Sequence, residues 1–455
     1  MKDFLSDTPQ KWHPVKWNVK NTILYFLFLI PLLASCVNFT DDVFDRSAAD
    51  RINESLATYR QLLTTQTNGW IMEYFPEKTQ KYGGFNLYFR FETENVTVRS
   101  ETGSAISTWS MGTDMGPTIN FDTYNTILHY FSDPGLNVGA GYGLSYEGDY
   151  EFFIESGSKD EFILRGKKTK NIIRMTPLPA NITVNDYFQS IDEMDQNVIA
   201  PAYRMTVGGR EIPIVRVGRT NVFALKENES SKETISASFI VTPVGIKFYE
   251  PVTIAGETFQ TFTYRADHDK IISDQGNAEI SVLVVPLSKY FIDGLTFTDW
   301  YLKTDNIGQG YLSAWNTAKN NLLQYLGYSF KLAYAWLGAL DIDYPAGVSI
   351  GVWDEEDGIV YGGTYVYDFE IVSDDRIKFN YNPAKTNADG INASFFSGAV
   401  SGFTVNAFNG RTFALVPDQD ITNPKNVVRI NELTLIDIAN SDNWIKVGLE
   451  TVLWP

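Results

Sequence analysis

Few side chains in this sequence could carry out chemistry. There are three histidines, His13, His129 and His268, and one cysteine, Cys36. A zinc protease of the His-Glu-x-x-His kind needs two histidines one helical turn apart, and no pair has that spacing. A thiol redox pair or a cysteine-rich zinc site needs further cysteines. A serine nucleophile on a Gly-x-Ser-x-Gly elbow fails as well: Gly143-Leu144-Ser145 begins one, but Glu147 stands where the closing glycine belongs. His129, within Thr126-Ile127-Leu128-His129-Tyr130-Phe131, reads as a half-buried structural imidazole. His268, between Asp267 and Asp269, reads as part of a solvated turn. Two carboxylates could still cleave a glycosidic bond, because sequence does not encode the distance between two acids. No acid lies in a recognisable glycosidase context, so the chain is expected to be non-catalytic and to need neither cofactor nor metal.

Two further motifs invite ligands. Trp353-Asp354-Glu355-Glu356-Asp357-Gly358 is acidic, but calcium loops of the EF-hand type use alternate residues, and here the acids are contiguous. Between two apolar runs, Asp357-Gly358 reads instead as a hairpin turn. The glycine-rich segment Gly135 to Gly148 lacks the Lys-Ser/Thr of a phosphate loop, and its glycines are too closely spaced for a dinucleotide fingerprint. It reads as a long loop presenting Tyr142 and Tyr146. Trp109 and Trp353 sit in polar, loop-like contexts where a flat ring could stack on a sugar or an apolar side chain. Trp109, Tyr142, Tyr146 and Trp353 are therefore the candidate ligand-binding residues.

The elements that must position these residues begin with an address. Lys2, Lys11, Lys16 and Lys20 precede an apolar run from Ile23 to Ala34, the length of a secretion signal and too short to span a bilayer. The run ends in Leu33-Ala34-Ser35-Cys36, which resembles a bacterial lipobox; Cys36 would become the lipidated first residue of the mature chain. Val37 follows where an inner-membrane retention aspartate would stand, so an outer-membrane anchor is expected. Asp41, Asp42 and Asp45 form an acidic tether that resembles a surface-export signal. The formal net charge is -18. Removing residues 1–35 takes away four Lys and two Asp, which leaves -20. Such a charge opposes binding to a phosphate backbone, so nucleic acid is excluded as a partner.

The body has room for several cores, at 455 residues. Ser47 can cap a helix starting at Ala48, and Asn68-Gly69 ends it. Thereafter the apolar period becomes two: Phe85, Leu87, Phe89 and Phe91 alternate with Asn86, Tyr88 and Arg90, and Tyr365, Tyr367, Phe369 and Ile371 repeat the pattern. The fold expected is mainly β with a few helices, as two or three antiparallel β-sandwich or barrel-like domains. Helical stretches at Val184 to Asn197 and Tyr311 to Gly327 divide the chain into 48–195, 196–295 and 296–455, after a signal peptide (1–35) and tether (36–47). Tyr82-Gly83-Gly84 and Tyr361-Gly362-Gly363 each lead into an aromatic strand, which would mark duplicated β-units or merely two glycine turns.

Several of these segments together resemble a known family. The tether Asp41-Asp42-Val43-Phe44-Asp45, Arg51-Ile52-Asn53-Glu54, Asn68-Gly69-Trp70, Tyr74-Phe75-Pro76, Gly116-Pro117, Phe121-Asp122-Thr123-Tyr124-Asn125 and Gly148-Asp149-Tyr150-Glu151-Phe152 are similar to Bacteroidota lipoproteins carrying domain of unknown function 4302. The resemblance covers about the first 180 residues and extends less securely to about 285. It brings no activity and no catalytic residue. It implies an accessory surface lipoprotein beside an outer-membrane nutrient importer. The expected role is thus a lipid-anchored binding or docking subunit for a glycan or peptide, with a paired-carboxylate hydrolase or a structural, adhesive surface protein as alternatives.

Overall fold

Phe85, Leu87, Phe89 and Phe91 alternate because they lie on a strand that closes into a barrel. The computed structural model describes residues 47–134, 145–295, 300–326, 330–340, 343–387, 391, 393–419, 421 and 423–449. The lipobox residues Leu33, Ala34 and Ser35, the lipidation candidate Cys36, and Asp41, Asp42 and Asp45 lie outside these. The chain divides into two units, residues 1–55 and 56–455. Helix α1 (Ala48–Thr65) begins in the first and ends in the second; it opens at Ser47, whose Oγ accepts the Asp50 N–H at 3.1 Å and donates to the Asp50 carboxylate at 2.7 Å. This is the cap expected of serine before an apolar periodic run.

In the second unit the described residues form three antiparallel sheets. The first is a closed barrel of β1 (Trp70–Tyr74), β2 (Phe85–Phe91), β3 (Asn95–Arg99), β4 (Ser104–Thr113), β5 (Pro117–Phe121), β6 (Glu151–Gly157), β7 (Phe162–Gly166) and β8 (Ile172–Pro177), each strand paired with the next. Trp70 opposite Pro177 closes the ring. Its interior is filled rather than hollow: Trp70, Met72, Leu87, Phe89, Phe152, Phe162 and Leu164 are all buried in one cluster. The last turns of α1 seal it, with Leu63 buried and the Trp70 indole N–H donating to the Leu63 carbonyl at 3.2 Å.

The second sheet follows helix α2 (Val184–Val198), which begins at a capping box between Thr183 and Asp186. Its strands are β9 (Ala202–Val207), β10 (Arg210–Ile212), β11 (Ile214–Arg216), β12 (Val222–Leu225), β13 (Ile235–Thr242), β14 (Gly245–Ile254), β15 (Glu257–Arg265), β16 (Lys270–Ser273) and β17 (Ala278–Leu283). Pairing runs from β10 through β9 and β17 back down to β11. The two edge strands are separated in sequence by Pro213 alone: Ile212 pairs with Met205 of β9, and Ile214 pairs with Leu225 of β12. One bent segment therefore joins both ends of the sheet. Proline stands at the switch because it has no N–H to give either ladder.

Helix α3 (Leu287–Gly294) precedes the third sheet, a closed barrel of β18 (Trp300–Ile307), β19 (Phe330–Gly338), β20 (Gly347–Asp354), β21 (Ile359–Ser373), β22 (Arg376–Tyr381), β23 (Thr412–Pro417), β24 (Glu432–Asp437) and β25 (Trp444–Leu449). Helix α4 (Gln309–Leu326) interrupts it after β18, and α5 (Pro383–Thr386) and α6 (Ala393–Thr404) interrupt it after β22. The fold is thus β-rich with few helices; its first and third sheets close into barrels, and the second is a nine-stranded sheet whose two edge strands adjoin in sequence. No helix of the described residues is long and apolar enough to cross a membrane. The two Tyr-Gly-Gly motifs do not occupy equivalent places. The first leads into the second strand of its barrel, and the second lies inside the fourth.

The sheets meet through polar seams on an apolar base. Ile71 and Tyr88, on the outer face of β1 and β2, belong to the core cluster of the second and third sheets. Asn86 is buried because its Nδ2 donates to the Val241 carbonyl at 2.9 Å and its Oδ1 accepts from Tyr187 Oη at 2.8 Å. Gly84 donates its N–H to the Phe239 carbonyl at 2.9 Å. A Cβ there would lie 2.6 Å from the Phe75 ring and 2.7 Å from Ile240 Cβ, so only glycine lets the backbones approach. The third barrel reaches the second through a 3-10 turn, Pro424–Arg429: Arg429 pairs with Asp195 of α2, Lys425 pairs with Asp269, and the Arg219 guanidinium donates to the Val428 and Ile430 carbonyls.

Candidate functional site

The four aromatic candidates meet different fates. Trp109 is a correction: it was expected on an exposed loop, yet it is only 3% exposed on β4. Its ring packs 4.8 Å from Phe91, the Arg60 guanidinium lies 4.4 Å over it, and its indole N–H donates to the Glu92 carbonyl at 2.9 Å. The polar neighbours Ser107 and Ser110 resemble a loop only because they share a strand with a core residue. Tyr146 is also corrected. It does not ride a free loop but wedges among Tyr82, Phe85, Tyr130 and Phe131, with ring centroids 4.6 to 5.9 Å away. Burial pushes its phenol up from the ordinary value. Tyr142 lies outside the described residues. Trp353 remains, 38% exposed on β20.

Trp353 stands on a surface built by strand register. Along β20, Ile350 and Val352 point into the barrel core with no exposure, so Gly351 and Trp353 face outward. Gly351 pairs with Tyr334 on β19 and with Gly362 on β21, and Trp353 pairs with Lys331 and Val360. The two glycines stand side by side under neighbouring side chains: the Tyr334 ring covers Gly351, and a Cβ on Gly362 would sit 2.7 Å from Leu340 Cδ2. A Cβ on Gly351 would sit 2.6 Å from the Tyr334 ring. Tyr334 is 38% exposed. Its centroid is 5.5 Å from Trp336 and 6.0 Å from Tyr301, which hold it from the side. Trp336 is itself held by its indole N–H, which donates to the Ala339 carbonyl at 3.2 Å. A bulge between Leu332 and Tyr334 brings Tyr334 opposite Gly351, two residues before Trp353 on the same face of β20.

Polar groups edge this platform. Lys331 forms an ion pair with Glu355, both exposed, beside Trp353. The acidic segment is a hairpin turn, in which the Gly358 N–H donates to the Asp354 carbonyl at 2.9 Å. Among the described residues no group of three or more His, Cys, Asp or Glu converges as a metal site. Sequence reasoning found Trp353 but missed Tyr334, Gly351 and Gly362. The pairing follows from the turn length: Asp354 pairs with Ile359, so the turn is the four residues 355–358, and Gly351 and Gly362 lie equally far from its middle.

The two histidines stand apart from this platform. The His129 ring is half-buried, stacked 4.9 Å from Tyr150 and 5.2 Å from Tyr124, and its Nδ1 accepts the Asn125 N–H at 3.1 Å. Burial pulls its pKa below the ordinary value, with the Asp133 charge opposing. His268 is solvated, 3.1 Å from Asp267.

This fold and platform define a β-rich protein of successive barrels carrying an exposed aromatic surface. Residues 40–266 match the family model described as Domain of unknown function (DUF4302), and these residues form a DUF4302 domain. The matched stretch takes in the first barrel and the second sheet through β15, although β17 must pair with β9 to complete that sheet. No curated protein matches the chain. Solved structures that match include a DNA polymerase sliding clamp from Pseudomonas aeruginosa with ligand, at 9% identity over 88% of this chain and 98% of that one, with a TM-score of 0.11. The DNA polymerase III subunit beta from Pseudomonas aeruginosa matches at 10% identity with the same coverages and a TM-score of 0.11. Likeness at that level carries no argument about fold or function.

Proposed function

We propose that this protein is a non-catalytic, lipid-anchored outer-membrane surface protein that captures a glycan for a nutrient importer. The observation that carries the reading is the pair of exposed rings, Trp353 and Tyr334, on the outer face of β20 and β19. The C–H face of a sugar ring lies flat against an aromatic ring, and two exposed rings on one sheet face accept neighbouring sugar units. The exposed Lys331 and Glu355 supply a donor and an acceptor for sugar hydroxyls at the edge. Cys36 and the acidic tether Asp41, Asp42 and Asp45 support the surface location, since covalent lipid holds a chain to a bilayer and a charged linker extends from it.

The test is a screen of soluble polysaccharides and of peptides by affinity electrophoresis. Retardation by a glycan that is lost in Trp353→Ala supports the reading. Release of reducing sugar would replace it with hydrolysis by a carboxylate pair, and retardation by peptides alone would replace the ligand class. Importer docking is tested by mild-detergent pull-down from native membranes, where absence of an importer subunit would separate capture from docking.

A further inference from the structure

The platform on the third barrel does not use the seam between the first two sheets, where a second site is built. In β14, Lys247 pairs with Thr261 and Val252 with Phe259, so residues 248–251 leave the ladder opposite Gln260 alone. Gln260 Nε2 holds this excursion by donating to the Phe248 and Tyr249 carbonyls at 3.1 and 3.2 Å. The excursion carries Tyr249 onto the first barrel, where its Oη accepts the Ile172 N–H at 2.8 Å and its ring lies 4.8 Å from Phe75. Beside it opens a cleft of about 310 Å³ whose walls come from both sheets. Bulges of this kind commonly re-aim side chains at binding sites.

The charges in the cleft are unevenly satisfied. Lys247 Nζ donates to both Glu73 carboxylate oxygens, at 2.9 and 2.7 Å, so that pair is complete. Arg174, on the first barrel, gives Nη1 to Glu161 at 2.7 Å, and the rest of its guanidinium has no partner among the described residues. Glu250, on the second sheet, is exposed and makes no ion pair or side-chain hydrogen bond there. One open cationic edge and one open carboxylate thus belong to the same cleft, with Ile172 and Phe248 as apolar wall.

A purely anionic ligand would face Glu250, a purely cationic one would face Arg174, and a neutral one would satisfy neither charge. We propose that the cleft binds a small zwitterion of the amino-acid type, a free amino acid or dipeptide, its ammonium on Glu250 and its carboxylate on Arg174. The volume lies at the small end of the range of about 300–1,000 Å³ for small-molecule sites, which limits the ligand to one or two residues.

The experiment is calorimetry on the full-length chain in detergent, with the dipeptide Ala-Phe and its N-acetylated, C-amidated form as probes. The free dipeptide binds, and capping both ends weakens binding by about tenfold or more. Glu250→Gln and Arg174→Gln each weaken the free dipeptide by a similar factor and leave the capped one unchanged. Neither side chain is buried, so the thermal midpoint of both variants stays near that of the parent. Absence of dipeptide binding, equal binding of the capped form, or an unchanged affinity in Glu250→Gln overturns the proposal. Glycan retardation through Trp353 is read separately, so failure here leaves the platform reading standing.

Discussion

Tyr74 and Asp149, 75 residues apart, exchange two hydrogen bonds: Tyr74 Oη donates to the Asp149 carbonyl at 2.9 Å and accepts the Asp149 N–H at 2.7 Å. Both residues are buried, and the Asp149 carboxylate in turn accepts the backbone N–H groups of Lys168 and Thr169. One phenol thereby fixes the chain entering β6 and, through it, the turn between β7 and β8. Tyr74→Phe leaves a buried N–H and carbonyl without that partner and is expected to cost about 1–3 kcal/mol. Urea unfolding monitored by circular dichroism reads the loss; an unchanged midpoint would show that water takes the place of the hydroxyl.

The two tryptophans of polar context should part company on substitution. Trp353→Ala removes half-exposed stacking surface, so glycan retardation should disappear while stability changes by less than about 1 kcal/mol. Trp109→Ala opens a hole in the first barrel beside Phe91 and should cost about 3–5 kcal/mol with glycan affinity intact wherever the protein remains folded. Gly351→Val offers a third arm, since its side chain must displace the Tyr334 ring without removing an aromatic group.

Glu101, in the turn between β3 and β4, gives the fold a pH dependence. The protein around it, and then the Asp195 and Asp192 carboxylates, raise its pKa to about 7, against the opposing charge of Arg429. The folded state therefore holds a proton there that the unfolded chain gives up near its ordinary value of 4.5. The resulting stabilisation is complete below about 4.5 and is lost as pH rises through about 7. Glu101 is nonetheless exposed at the surface, and solvent screening keeps the effect small. Thermal midpoints of the parent and Glu101→Gln, measured from pH 4.5 to 8, should diverge as pH rises, with the parent lower at the alkaline end. Parallel curves would remove Glu101 from the account.

Cys36→Ser tests the anchor. The substituted chain should accumulate with its leader uncleaved and take up no labelled palmitate. Protease treatment of intact cells should remove the parent protein, and its persistence would place it on the periplasmic face.

The sequence alone determined what is local. Ser47 and Thr183 open helices because a hydroxyl before an apolar periodic run satisfies free N–H groups. Leu87, Phe89 and Phe91 share a face because strand geometry alternates, and Asp357-Gly358 turns because its neighbours are strands. The run Leu33-Ala34-Ser35-Cys36, which resembles a lipobox, is likewise a local pattern readable without any fold. Tertiary structure alone decided closure, since Trp70 meets Pro177 and Ala278 meets Val207 only when distant segments pair. It also decided which polar-looking residues are inside. Trp109 and Trp353 have similar neighbours, yet one is packed inside a barrel and the other faces outward, because facing depends on register with strands far along the chain. The dipeptide cleft belongs to the same class: Arg174 and Glu250 are unremarkable in sequence and become a pair of opposite open charges only where two sheets meet.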